Sequence, residues 1–267
     1  MAIFNNIIKS DGNSLVRKPT STFAGVVGFP LTYAVLPYAQ INNLVGWFNN
    51  GDGVTTATGV SAWVDRISGA SLAQATGALQ PTYTQQVNTL NGKNNISFAA
   101  TQTLSAGDVF DIGLNTGHTI CWYGKIKTLN TNRSVLGKSN QGASPLTVAG
   151  EYKITGGGTT TISAQFFDTA LRTTAAVSFD AANFFLYSLV IDRTANLLYL
   201  YINERAAASV AIAADLTTNY NNGSLFIQNN NNSGTLDSLE ILVYQTALTQ
   251  AEIAQNSIAM RGKYGQI

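Results

Sequence analysis

Charged side chains are scarce in this chain. Asp, Glu, Lys and Arg make up 11% of its 267 residues and sum to +1, against about 25% charged residues in an ordinary globular protein. No excess of Lys or Arg is present to displace counterions, so the composition speaks against nucleic-acid partners. The surface has to be covered by neutral polar groups, and Asn, Thr and Ser are abundant. Low charge also weakens the usual defence against association, which a protein built to assemble tolerates. The single cysteine, Cys121, excludes an internal disulfide and a disulfide-framed module. The single histidine, His118, leaves too few ligands for a Cys/His zinc site, which takes about four. A Ser-His-Asp arrangement would have to use that ring, and no Gly-x-Ser-x-Gly elbow accompanies it. Long apolar runs are missing too. The densest, from Phe184 to Ile191, is broken by Ser188 and is far shorter than the ~20 residues a spanning helix needs. The start, Met1 to Lys9, has no basic opening and no continuous apolar stretch. The expectation is synthesis in the cytoplasm, without a secretory signal and without membrane insertion.

What is present divides the chain in two. Residues 1–43 carry Pro19, Pro30 and Pro37, which keep the backbone extended and break any periodicity. On that segment sit Phe23, Phe29, Leu31, Tyr33, Leu36 and Tyr38. An apolar set on a chain that cannot fold on itself marks a contact. Residues 1–43 are therefore expected to form an arm that anchors the protein to a neighbouring subunit. The competing reading is that the arm packs along its own domain.

Residues 44–267 read as short strands between turn signals, the signature of an all-β sandwich. Leu44–Asn49 runs into the turn Asn50-Gly51-Asp52-Gly53, and Val60–Arg66 alternates. Further strands are expected over 95–99, 119–127, 134–138, 145–154, 161–167, 184–192, 197–203, 224–228 and 235–244. Leu197 to Ile202 has no polar face and reads as a central strand covered on both sides. Thr249 with Glu252 three positions on forms a capping box, and Leu248 with Ile253 a hydrophobic staple. They place a helix over about 249–262, with Gly262 as its stop.

The order of several segments resembles the concanavalin-A-like, laminin-G-like jelly rolls found in phage virion proteins and bacterial surface binding modules. Leu44-Val45-Gly46-Trp47-Phe48-Asn49 with Asp52-Gly53 is similar to the family's first strand and turn. Val60-Ser61-Ala62-Trp63-Val64-Asp65-Arg66, Gln80-Pro81-Thr82-Tyr83 and Ile96-Ser97-Phe98 are similar to its next segments. Leu242-Val243-Tyr244 with Ala247 to Ile253 resembles its last strand and closing helix. The likeness covers roughly residues 44–265. Asn203-Glu204 stands where the family has Asn-Gly, which puts that turn type in question.

The resemblance raises candidates for chemistry. Some glycosidases of this fold carry Glu-x-Asp-x-x-Glu, and here Thr235, Asp237 and Glu240 occupy those places. Retaining cleavage needs two carboxyls about 5–5.5 Å apart, and the position of the nucleophile holds Thr235. Asp237 is therefore expected on a loop backbone and Glu240 in solvent. Asp52 with Asn49 and Asn50, or Asp108 with Asp111, offers oxygen ligands for calcium, but Asx turns explain these residues as well. No cofactor and no catalytic residue is expected. Cys121 reads as a buried thiol, Gly156-Gly157-Gly158 as a hairpin loop, and most of Trp47, Trp63 and Trp122 as core. Asn229, Asn230, Asn231 and Asn232 form the best polar contact loop.

The expected fold is a two-sheet antiparallel jelly roll with a closing helix behind an extended arm. The resemblance implies a non-enzymatic structural or recognition protein on a virion surface: a phage capsid decoration protein, head fibre or tail-associated protein. Its expected partners are other virion subunits or copies of itself, and surface glycans. The alternatives are a carbohydrate-binding module of a bacterial surface protein and, third, a glycoside hydrolase without an evident nucleophile.

Overall fold

The computed structural model describes residues 7–10, 14–17, 38–112, 117–139, 146, 148–213, 223–228 and 234–266. Near the start, β1 (Ile7–Ser10) and β2 (Ser14–Arg17) form a two-stranded antiparallel sheet. The other described strands lie in two larger antiparallel sheets. The eight-stranded sheet holds β3 (Leu44–Asn49), β7 (Thr82–Val87), β8 (Lys93–Phe98) and β10 (His118–Leu129). It also holds β16 (Phe185–Asp192), β17 (Leu197–Ile202), β18 (Arg205–Ala211) and β20 (Gly234–Tyr244). The ten-stranded sheet holds β4 (Val54–Thr56), β5 (Val60–Val64), β6 (Ser71–Ala73), β9 (Leu104–Ser105) and β11 (Ser134–Ser139). Its remainder is β12 (Tyr152–Gly156), β13 (Thr161–Phe167), β14 (Leu171–Thr173), β15 (Val177–Ser178) and β19 (Ser224–Ile227).

Strands β10 and β20 form the middle of the eight-stranded sheet, flanked by β16 on one side and by β3 and β8 on the other. The far edge of β20 is shared: Leu236–Ser238 pair with β8, and Glu240–Tyr244 pair with β3. The division falls at a bulge. Opposite β10 the register steps from Tyr123–Glu240 to Gly124–Ser238, leaving Leu239 unpaired.

Two hydrophobic layers explain why these strands read as nearly continuous apolar runs. Along β10, Ile120 and Trp122 face the core between the sheets, and along β16 Tyr187, Leu189 and Ile191 join them. Phe48, Trp63, Tyr152 and Phe166 complete the aromatic part of that core. Fully burying one such side chain contributes about 1.5–3 kcal/mol. The intervening residues, Cys121, Tyr123, Leu186 and Val190, belong to a second layer on the outer face of the sheet. There α1 (Gln250–Tyr264) covers them with Ile253, Met260 and Tyr264.

The helix starts where the capping box places it. The Thr249 side chain accepts from the Glu252 amide, and the Glu252 carboxylate accepts from the Thr249 amide at 2.7 Å. Replacing Thr249 by Ala is expected to cost about 0.5–2 kcal/mol, read as a lower urea midpoint. The helix passes Gly262 and ends at Gly265, which takes the left-handed conformation at φ 67°. Packing overrides the earlier glycine: Tyr264 is buried, with its ring stacked 5.5 Å from that of Tyr123. The Asn203-Glu204 departure also resolves. Asn203 supplies the positive φ of 52° that the β17–β18 turn needs. Glu204 fastens the turn to the helix, its carbonyl accepting from Gln250 Nε2 at 3.0 Å and its carboxylate from Ser257 Oγ at 3.1 Å and from Arg261.

Strand β17 lies one place in from the edge rather than centrally, yet both its faces are used. Leu198 and Leu200 enter the core, and Tyr201 joins the outer layer. Among the described residues no helix is long and apolar enough to cross a membrane.

Candidate functional site

Glu240 does not face solvent. It sits on the outer face of β20 beneath α1 with no exposed surface. Its Oε1 accepts from the Tyr38 hydroxyl at 2.6 Å and from Trp47 Nε1. Its Oε2 accepts from Lys263 Nζ at 2.7 Å and from the Tyr264 hydroxyl at 2.9 Å. Four donors occupy the roughly four lone-pair directions of a carboxylate. Burial, reinforced by the Glu240 charge, pushes the Tyr38 and Tyr264 hydroxyls well above their ordinary 10.0, so both remain protonated donors. The sequence signal for this burial was in the helix: Lys263 and Tyr264 both stand in its last turn. Asp237 does not bond a loop backbone either. It pairs with Lys127 Nζ at 2.7 Å and accepts from Ser97 Oγ across the sheet. Asp237 and Glu240 therefore tie the sheet to its neighbours and to the helix.

His118 is fully buried, its Nε2 2.9 Å from the Tyr152 hydroxyl. Burial first, and then the Lys138 charge, pull its pKa down to about 3, so the ring is neutral near pH 7. Burial pushes the Cys121 thiol up to about 12, and Ser188 Oγ lies 3.2 Å from its Sγ. Such a thiol carries no thiolate reactivity. Asp108 and Asp111 both bind the buried Lys138 ammonium, Asp108 at 2.7 Å, and that ammonium also donates to the Val109 carbonyl at 2.8 Å. Asp52 pairs with Arg66, and Asn49 Oδ1 accepts from the Gly51 amide at 2.8 Å in an Asx turn. Among the described residues no group of three or more His, Cys, Asp or Glu is arranged to hold a metal.

Trp63 and Trp122 lie in the core. Trp47 is half-buried on the outer face, with Arg66 5.2 Å and Lys263 5.8 Å from its ring centre. Gly156 closes β12, and Gly157 and Gly158 begin the connection to β13. Asn229–Asn232 lie outside the described residues, as do Phe23, Phe29, Leu31, Tyr33 and Leu36. Tyr38, the last of the apolar set, packs edge-on against Trp47 at 5.7 Å. The Ala39 amide donates to Asn256 Oδ1 at 2.8 Å. Residues 38–43 thus dock on the sandwich and its helix.

Two features escaped the sequence reading. The first is a groove of about 460 Å³ lined by Thr56, Thr58, Gly59, Thr82, Tyr83, Thr84 and Gln85. It lies between β4 and β7, the edge strands at the same end of the two sheets. The sheets are tied there by the Val60 amide donating to the Pro81 carbonyl at 2.8 Å and the Gly59 amide to Gln80 Oε1 at 2.9 Å. A Cβ on Gly59 would stand 2.5 Å from the Pro81 oxygen, so this close approach requires glycine. The Tyr83 hydroxyl donates to the Asn50 carbonyl at 2.8 Å and accepts from Asn94 Nδ2 at 2.6 Å, which fixes the ring. Gln80-Pro81-Thr82-Tyr83 was legible as a family-like segment but not as one wall of a cleft.

The second is Lys153, fully buried on β12 with no hydrogen-bond partner for its Nζ among the described residues. Burial lowers its pKa from 10.5 to about 8, the Glu151 charge offsetting part of this. Below pH 8 both folded and unfolded chains hold the proton and the penalty is complete. Between pH 8 and 10.5 the unfolded chain binds more protons, so stability rises with pH. Lys153→Met is expected to stabilise the protein at pH 7 by about 1–2 kcal/mol after allowance for screening and to abolish the rise between pH 8 and 10. Urea titrations across that range check both.

No family model and no curated protein matches the sequence. Solved structures match its fold. The Trypanosoma rangeli sialidase in complex with sialic acid superposes with a TM-score of 0.54 at 13% identity, covering 85% of this chain and 34% of the sialidase. The receptor-binding domain of the botulinum neurotoxin C/D mosaic serotype gives 0.54 at 13% identity, covering 83% of this chain and 52% of that one. The binding domain of Paraclostridial Mosquitocidal Protein 1 gives 0.52 at 12% identity over the same shares. The chain thus spans about a third to a half of these molecules. The likeness is one of fold: a two-sheet antiparallel β-sandwich.

Proposed function

We propose that this β-sandwich binds surface glycans without cleaving them, as a structural or recognition component of a virion. The observation that carries the reading is chemical. The carboxylate best placed for glycoside chemistry is saturated by four donors inside the fold, while an open groove of neutral hydroxyls remains on the surface. The sandwich likeness to a sialidase solved with sialic acid supports recognition of sugars, and the likeness to toxin binding domains supports recognition. The virion assignment rests on the jelly-roll resemblance, the low charge and the apolar segment 1–37. In this reading that segment joins the protein to neighbouring subunits, and residues 38–267 form the recognition unit. Deleting residues 1–37 tests the division of labour. The truncated protein is expected to keep its thermal midpoint and glycan binding but to be lost from assemblies sized by native mass spectrometry. A midpoint that falls by many degrees would show instead that residues 1–37 complete the sandwich core.

A further inference from the structure

We propose that the groove between β4 and β7 is the glycan contact, and that it selects a neutral sugar over an acidic one. This rests on the glycan-binding reading and adds the site and the ligand chemistry. Among the described residues, the lining contains no charged side chain. Thr56, Thr58, Thr82 and Thr84 are exposed, and each hydroxyl both donates and accepts, as sugar hydroxyls do. Gln85 adds a side-chain amide with both donors and an acceptor. Among the described residues β4 pairs only with β5 and β7 only with β8, so there each keeps backbone donors and acceptors on its other side.

Tyr83 braces the wall of the groove from behind, its ring packed against the core between the sheets. The ring is half-buried, and its hydroxyl is held by Asn50 and Asn94, so it is in position before a ligand arrives. A wall fixed in this way lets a ligand dock at little cost in ordering entropy. The volume, about 460 Å³, falls within the ~300–1,000 Å³ of small-molecule sites. Charge then decides the class. A sugar carboxylate would lose water there and find no cation among the described lining residues to pair with. A hexose with hydroxyls alone meets no such penalty.

The test is a glycan array followed by calorimetry with the full chain, Tyr83→Ala and Thr84→Trp. Thr84 is exposed, so Thr84→Trp fills the groove without entering the core and leaves the melting midpoint in place. Galactose-, glucose- or mannose-terminated glycans are expected to bind the unaltered protein at least tenfold more tightly than sialylated or uronic-acid glycans. Both variants should weaken that binding tenfold or more. Preference for acidic glycans, or neutral binding that survives Thr84→Trp, would overturn the assignment of the groove and leave the glycan-binding reading standing. Retention of no glycan by the unaltered protein would remove both.

Discussion

Lowering the pH from 6.5 toward 3 is expected to remove several kcal/mol of folding stability through one ring, His118. In the folded chain its pKa is about 3, against an ordinary 6.5, because burial and then the Lys138 ammonium disfavour the charged form. Between those values the unfolded chain binds the proton and the folded chain does not. The contribution is therefore fully present above pH 6.5 and is lost as pH falls through the window. At about 1.4 kcal/mol per pH unit, the loss is on the order of 3–5 kcal/mol. Asp168 adds to it below pH 3.8. Burial raises its carboxyl, but the Ala213, Ala170 and Thr169 amides and Arg172 together outweigh that and lower it. Replacing His118 by Phe keeps a ring in the core and removes the titration. That variant should start less stable at pH 7, because the Tyr152 hydroxyl loses its partner, and should show a flatter profile between pH 6.5 and 4. Parallel urea-midpoint profiles for the two proteins would contradict this account of His118.

The second large effect is expected at Glu240. Glu240→Ala should destabilise the fold by about 3–5 kcal/mol, the usual cost of breaking a buried ion pair from one side. The change strands the Lys263 ammonium and removes the acceptor shared by Tyr38, Trp47 and Tyr264. Those donors come from residues 38–43, from β3 and from the end of α1, so the last turn of the helix and the docked segment should loosen together. Hydrogen exchange at the Ala39 amide, which bonds Asn256 on the helix, should rise with the drop in urea midpoint. A variant that unfolds at the original midpoint but loses a glycan-hydrolysing activity would identify Glu240 as catalytic instead.

How far the fold was readable depended on where each strand lies. β3, β13 and β17 sit close to their expected bounds because long apolar or alternating runs mark them. The short strands β6, β9 and β15 carry too few residues for a period to register. β18 reads Arg-Ala-Ala-Ala-Ser-Val-Ala, a composition with low strand preference, and is held in place by pairing with β17. The capping box was legible because it is a local signal of four residues. The end of the helix was not, because a contact between Tyr264 and Tyr123, 141 residues away along the chain, decides it. Glu240 was misplaced for a related reason. Its four donors lie on three different elements, and only the fold brings them to one carboxylate. The groove was invisible for the same cause, since β4 and β7 meet only when the two sheets stack.

Recognition without cleavage is open to direct measurement. Fluorescently labelled neutral oligosaccharides are incubated with the purified chain, then followed by equilibrium retention and by the mass of the recovered sugar. The account predicts saturable retention, with every recovered oligosaccharide at its original mass after prolonged incubation. Shortened products that disappear in Glu240→Gln while the protein stays folded would contradict it, and so would the absence of any saturable retention.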